Sequence, residues 1–177
     1  MRVKNWIEDK WEIRDKGMKH FSINAVKVNT DNREVLNWTQ PMIFEMNYGL
    51  VGFITTFINE QRHYLIHARI EPGSVDKMYI APSVQCSNYN YKETLPRFAD
   101  ILLDESNIKL YDSIQSEEGG RFYHFQNRHL IVEVNGFDWE DIPDDYMWAT
   151  SEQLKDFINY GLLNIEARSL MIGYLFR

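Results

Sequence analysis

Residues 49–70 read GLVGFITTFI, NE, QRHYLIHARI: two ten-residue runs joined at Asn59-Glu60. The first carries Val51, Phe53, Ile54, Thr55, Thr56, Phe57 and Ile58, β-branched and aromatic side chains that fit a pleated sheet. Two residues between such runs make the shortest hairpin, so the stretch predicts an antiparallel pair and a sheet-based fold. In the second run, strand alternation puts Tyr64, Ile66, Ala68 and Ile70 on one face. His63, Leu65, His67, Arg69 and Glu71 fall on the other, a mostly polar face that is either solvated or lines a pocket.

Outward from this hairpin, short alternating segments follow one another at turn signals. Strands are expected over residues 21–29 and 33–38, on either side of Thr30-Asp31-Asn32, then over 77–80, 83–87, 110–116 and 121–134, the last with a bend. Helices are expected over 95–103, over the segment opened by the capping box Thr150-Ser151-Glu152-Gln153 and stopped by Gly161, and over 165–174 behind Asn164. In the capped helix Leu154, Phe157 and Ile158 are expected to face inward. Trp6, Ile7, Trp11 and Ile13 give an approximate helical stripe over residues 5–15. The chain is therefore organised as a helical lead-in, 1–17, and one domain, 18–177: an α+β fold with a mostly antiparallel or mixed sheet flanked by helices.

A chain of 177 residues, 44% hydrophobic and 14% aromatic, is large enough for a filled core. Cys86 is the single cysteine, so no intramolecular disulfide forms and the cytoplasm is the expected compartment. No apolar run approaches the roughly 20 residues that span a bilayer. The net charge of -7 and the scattered basic residues argue against nucleic acid and membrane partners. An anionic small ligand, held by a few arginines, is compatible with both. Walker-type, Gly-x-Gly-x-x-Gly and Gly-x-Ser-x-Gly motifs are absent. His63 and His67 are too far apart along one strand to share a zinc unaided, so no metal is expected.

Polar groups recur on strand faces. His124, Gln126 and Arg128 share a parity with Phe122, Leu130, Val132 and Val134, either a strand leaving the core for a cleft or a register change near Asn127. Ser83, Gln85, Ser87, Tyr89 and Tyr91 form a row suited to a sugar or to an exposed edge. The turn Ser116-Glu117-Glu118-Gly119-Gly120-Arg121 sets two carboxylates side by side, where each can raise the other's pKa, or is merely solvated.

Taken together, Trp38-Thr39-Gln40-Pro41, Gly49 with Gly52, Glu71-Pro72-Gly73, Pro82-Ser83-Val84-Gln85, Asn90-Tyr91, Ser116-Glu117-Glu118-Gly119, Asn127-Arg128 and Asn164-Ile165-Glu166-Ala167-Arg168 make the chain resemble the nucleoside-diphosphate-hexose 2,3-dehydratases. The resemblance implies a fold similar to the Nudix hydrolases, although the Arg-Glu-x-x-Glu-Glu metal-binding run of those enzymes is missing. It implies elimination of water from a nucleotide-linked 4-keto-6-deoxyhexose, with no redox cofactor and no metal. It also implies tandem copies of the domain, which a homodimer of this chain would rebuild. The alternatives are an isomerase or epimerase of the same sugars and a non-catalytic sugar-nucleotide-binding domain.

On this resemblance acid–base work is expected of Glu117, Glu71, His67 and Tyr91. Arg128 and Arg168 are expected on the phosphates, and Gln85, Asn90, Asn127, Glu118 and Trp38 on the rest of the substrate. The chain departs from the family at His67-Ala68-Arg69, at Glu118, at His129 and around residues 92–96.

Overall fold

A computed structural model describes residues 6–17, 21–45, 48–73, 75, 78–87, 95–117, 119–136 and 142–176. The chain forms two compact units, residues 1–48 with 115–127 and residues 49–114 with 128–177. Both are built on sheets, and the helices belong to the second.

The first unit holds a five-stranded sheet in the order β1-β2-β3-β4-β10: β1 (Trp6–Glu8), β2 (Glu12–Asp15), β3 (Ser22–Asn29), β4 (Asn37–Phe44) and β10 (Phe122–Tyr123). Residues 6–15 are thus an antiparallel hairpin, with Ile7 opposite Arg14, and not the expected helix. Ile13 pairs with Ile23 of β3, so the alternation in Glu12-Ile13-Arg14 is satisfied by sheet extension. The strand expected over 33–38 begins only at Asn37. Thr30 Oγ1 bonds to Asn32 Oδ1 at 2.6 Å and Thr30 N donates to Leu36 O, closing a longer loop that leaves Val35 and Leu36 exposed. The strand then runs through Pro41, opposite Ala25.

The second unit is organised by β5 (Gly49–Ile58) and β6 (Gln61–Ile70), the hairpin expected from the sequence. Asn59 and Glu60 have φ of 49° and 66°, the left-handed pair that a type I′ turn requires. Their sheet runs β12-β6-β5-β11-β9, with β9 (Ile108–Ser116), β11 (Gln126–Glu133) and β12 (Tyr146–Thr150). The hairpin forks: Thr55 is opposite Tyr64, but beyond them β6 pairs with β7 (Met78–Pro82) and β5 with β8 (Val84–Cys86). Ser83 sits at the fork, fully buried, donating to Leu65 O at 2.6 Å and accepting from Ile54 N at 2.8 Å. It therefore belongs to the core and not to a polar row; Tyr89 and Tyr91 lie outside the described residues.

Both faces of this sheet are covered, by different residues. Val51, Phe53, Tyr64, Ile66 and Ile131 pack with Leu154 of α2 (Ser151–Asn159) and with Ala167, Leu170 and Met171 of α3 (Ile165–Leu175). Leu50, Ile54, Leu65, Leu130 and Val132 pack with Ala99 and Leu102 of α1 (Ala99–Leu103). Leu65 is accordingly buried and Ile70 is 78% exposed, against the simple alternation expected for β6. Helix α1 is shorter than expected because Phe98 takes a left-handed φ of 65° immediately before it. The capping box at Thr150 forms as expected and Gly161 has φ 72°, but Ile158 faces outward. No helix among the described residues is long and apolar enough to cross a membrane.

Candidate functional site

The expected strand over 121–134 is broken by His124, whose φ of 54° separates β10 from β11. The face that parity assigned from Phe122 to Arg128 is therefore not continuous. Around the break lies a cleft of about 650 Å³ in the first unit, lined by Val26, Lys27, Val28, Asn29 and Met42 and by Ser116, Glu117, Gly119 and residues 122–126. Its volume is in the range of small-molecule sites.

Glu117 enters this cleft on a tether. Its backbone N donates to Phe125 O at 2.9 Å, and its carboxylate accepts a hydrogen bond from Asn127 Nδ2. Asn127 is buried, so the acid is held from behind by a residue with little freedom. The neighbouring turn, where Gly120 takes φ 107°, is fastened through Gly120 O to Gln40 Nε2, and Trp38 Nε1 donates to Gln40 Oε1 at 2.6 Å. Trp38 thus supports the turn and is not among the cleft-lining residues. Phe44, Tyr123 and His124 form an aromatic ladder, with successive ring centroids 4.3 Å apart.

A second polar cluster lies within the second unit. Asn164 is 3% exposed; its Nδ2 donates to Glu71 Oε1 at 3.0 Å and to Gln85 Oε1 at 2.8 Å, while its Oδ1 caps α3 by accepting from Ala167 N. Hydrogen bonds Ile80 N to Leu162 O and Asn164 N to Ile80 O dock this segment on β7. Arg69 Nη1 donates to Gln85 O at 3.0 Å, and its Nε lies 3.6 Å from Glu71 Oε1. Nearby in sequence, His67 Nε2 is 3.1 Å from Asp145 Oδ2, and its ring stacks on Tyr146 at 4.3 Å. Burial, with the Asp145 charge beside it, pushes the Tyr146 phenol above its ordinary range.

The structure thus brings Glu117 together with Asn127, and Glu71 together with Gln85. Arg128, expected on a phosphate, makes a two-pronged pair with Asp112, at 2.9 and 2.7 Å, and its hydrogen bonds hold the Asp112 carboxyl below the usual range. Arg168 is exposed on α3. Asn90, Tyr91 and Glu118 lie outside the described residues. Sequence reasoning missed Lys27 and His124 in the cleft and Asp145 beside His67. A lysine on an alternating strand carries no signal of a site, and His124 was legible only as one polar residue of a parity set.

A family model described as NDP-hexose 2,3-dehydratase matches residues 1–173. Three curated relatives named dTDP-4-dehydro-6-deoxy-alpha-D-glucopyranose 2,3-dehydratase are similar to 96% of this chain: one from Streptomyces violaceoruber at 38% identity, one from Saccharopolyspora spinosa at 41% and one from Amycolatopsis orientalis at 34%. The chain spans 40%, 36% and 37% of their respective lengths. A solved structure described as an ADP compounds hydrolase aligns with 88% of this chain and 86% of that one, at 11% identity and a TM-score of 0.47.

Proposed function

Since the chain belongs to the NDP-hexose 2,3-dehydratase family, we propose that it binds a dTDP-linked 4-keto-6-deoxyhexose and eliminates water across C2 and C3. The observation that carries this reading is the tethered Glu117 carboxylate at the wall of a cleft of about 650 Å³ that also presents Ser116, Lys27 and Tyr123. A 4-keto group acidifies the C3 proton. A fixed carboxylate takes that proton, the electron pair passes into the ketone as an enolate, and the enolate expels the C2 hydroxyl once an acid protonates it. Lys27, which makes no ion pair among the described residues, supplies positive charge for the enolate or the diphosphate. The reaction so drawn uses no redox cofactor and no metal.

The test is to incubate the chain with dTDP-4-keto-6-deoxyglucose in deuterated water. Loss of one water by mass spectrometry is expected. Deuterium uptake without that loss would select an isomerase or epimerase, and tight dTDP binding with neither would select a binding domain. Glu117→Gln is expected to lower kcat by about 100-fold or more with little change in KM, and equal losses in binding and turnover would make Glu117 structural.

A second reading places the acid–base work in the second unit, on His67 with Glu71, where Asp145 orients the imidazole as carboxylates do in catalytic pairs. There Arg69, beside Glu71, and the exposed Arg168 supply positive charge, and Gln85 and Asn164 are the hydrogen-bonding groups for the sugar nucleotide. Full activity of Glu117→Gln with loss in His67→Asn would select it. We further propose a cytoplasmic homodimer. Light scattering that returns a monomer would remove that part.

A further inference from the structure

We propose that His124 is the acid of the Glu117 cleft, donating the proton that leaves with the C2 hydroxyl; this rests on the dehydratase reading above. Three features of the cleft point to it. The imidazole lies against Tyr123, tilted by 38°, and Tyr123 stacks on Phe44, each step 4.3 Å between centroids, so the ring has an aromatic support at the cleft. Its ring nitrogens take no hydrogen bond from the described residues and the side chain is exposed in the cleft, leaving them to the ligand. Its backbone has φ 54°, a conformation that is uncommon outside glycine and gathers at functional sites.

The Glu117 carboxylate and the imidazole are also joined mechanically. Glu117 N is bonded to Phe125 O, the carbonyl one residue beyond His124, and Asn127 two residues further on holds the Glu117 carboxylate. One short segment therefore positions both proton-transfer groups against the same space. Glu117, Lys27 and Tyr123 line the same cleft as His124, and the Tyr123 ring lies against the imidazole.

In the step assigned here, Glu117 takes the C3 proton, the C3–H electrons form the C3–C4 double bond while the carbonyl pair moves onto the C4 oxygen, and collapse of this enolate restores the C4 carbonyl and forms the C2–C3 double bond as the C2–O bond breaks. The proton on His124 joins the departing hydroxyl as water. The enzyme ends with Glu117 protonated and His124 neutral, and exchange with solvent restores both.

The experiment separates the two proton transfers. With dTDP-4-keto-6-deoxyglucose in deuterated water, the unaltered chain eliminates water. His124→Asn, chosen because asparagine tolerates a left-handed φ and hydrogen-bonds without serving as an acid, is expected to keep deuterium wash-in at C3 within about 3-fold while elimination falls about 100-fold. Added imidazole is expected to restore part of the elimination. Retained wash-in also shows that the variant is folded. Glu117→Gln is expected to lose wash-in and elimination together. Unchanged elimination in His124→Asn, or equal loss of wash-in and elimination without imidazole rescue, overturns the assignment to His124. An unaltered chain that neither washes in deuterium nor eliminates water overturns the dehydratase reading itself.

Discussion

Asn164 shows how one side chain carries a fold requirement and a site requirement together. Its Oδ1 caps α3 while its Nδ2 bridges Glu71 and Gln85 in a place that is almost fully buried. An aspartate would cap equally well, but it would lose the bridge and set a second carboxylate against Glu71. Asn164→Asp is therefore expected to cost at least about 2 kcal/mol in urea unfolding, no less than Asn164→Ala. An aspartate variant as stable as the parent would show that the bridge has no weight. The cap was legible in the sequence, because a polar residue ahead of an apolar periodic run has few other uses. The bridge was not, because Glu71 and Gln85 lie 93 and 79 residues away and only the docking of Leu162–Asn164 on β7 brings them in.

At the scale of elements, the fork of β5 and β6 is the feature on which the second unit turns. Ser83 fills both of its hydrogen-bonding roles there, with Ile54 N and Leu65 O. Ser83→Ala leaves a buried donor and a buried acceptor unpaired, an expected loss of about 2–3 kcal/mol, measurable as a lower urea midpoint. Gly52 makes a different demand: a Cβ there would lie 2.4 Å from Leu102 Cδ2, so α1 can cover this part of β5 only where no side chain stands. Gly52→Ala is expected to destabilise by about 1–3 kcal/mol, and the double variant with Leu102→Ala should recover part of that loss. Full additivity of the two would separate the glycine from the helix. The ten-residue hairpin was legible because its period and its two-residue turn agree. Strand β12 was missed because Thr150 ends it and caps α2 at once, with no loop between, so the capping signal masked the five residues before it. The hairpin of β1 and β2 was mistaken for a helix because Trp6, Ile7, Trp11 and Ile13 also satisfy a helical spacing loosely.

For the whole molecule, pH acts through groups that folding removes from water. His129 is buried on β11, its Nδ1 has no hydrogen-bond partner among the described residues, and burial lowers its pKa. The unfolded chain binds a proton at this position from about pH 6.5 downward, whereas the folded chain resists until a lower pH. Stability is therefore lost as pH falls through that window. His129→Met is expected to flatten the decline in urea midpoint between pH 7 and pH 5, and an unchanged slope would contradict the assignment. Asp112 adds loss at lower pH: its carboxyl is held below the usual range by Arg128, so that contribution is present above the unfolded carboxylate pKa and disappears on further acidification. Composition bounded the size and class of the molecule, and short ordered motifs identified its family. Neither disclosed that the motif-bearing residues are divided between two compact units, because that division depends on the pairing of strands distant in sequence.

Elimination as proposed requires that Glu117 meet C3 of a 4-keto hexose in the cleft of the first unit. A crystal structure of the Glu117→Gln chain with dTDP-4-keto-6-deoxyglucose tests it most directly. The pyranose is expected in that cleft, with C3 roughly 3–3.5 Å from the side-chain carboxamide at position 117 and the C2 hydroxyl facing His124. A pyranose bound against Glu71 and His67, with the Glu117 cleft holding only solvent, would contradict it.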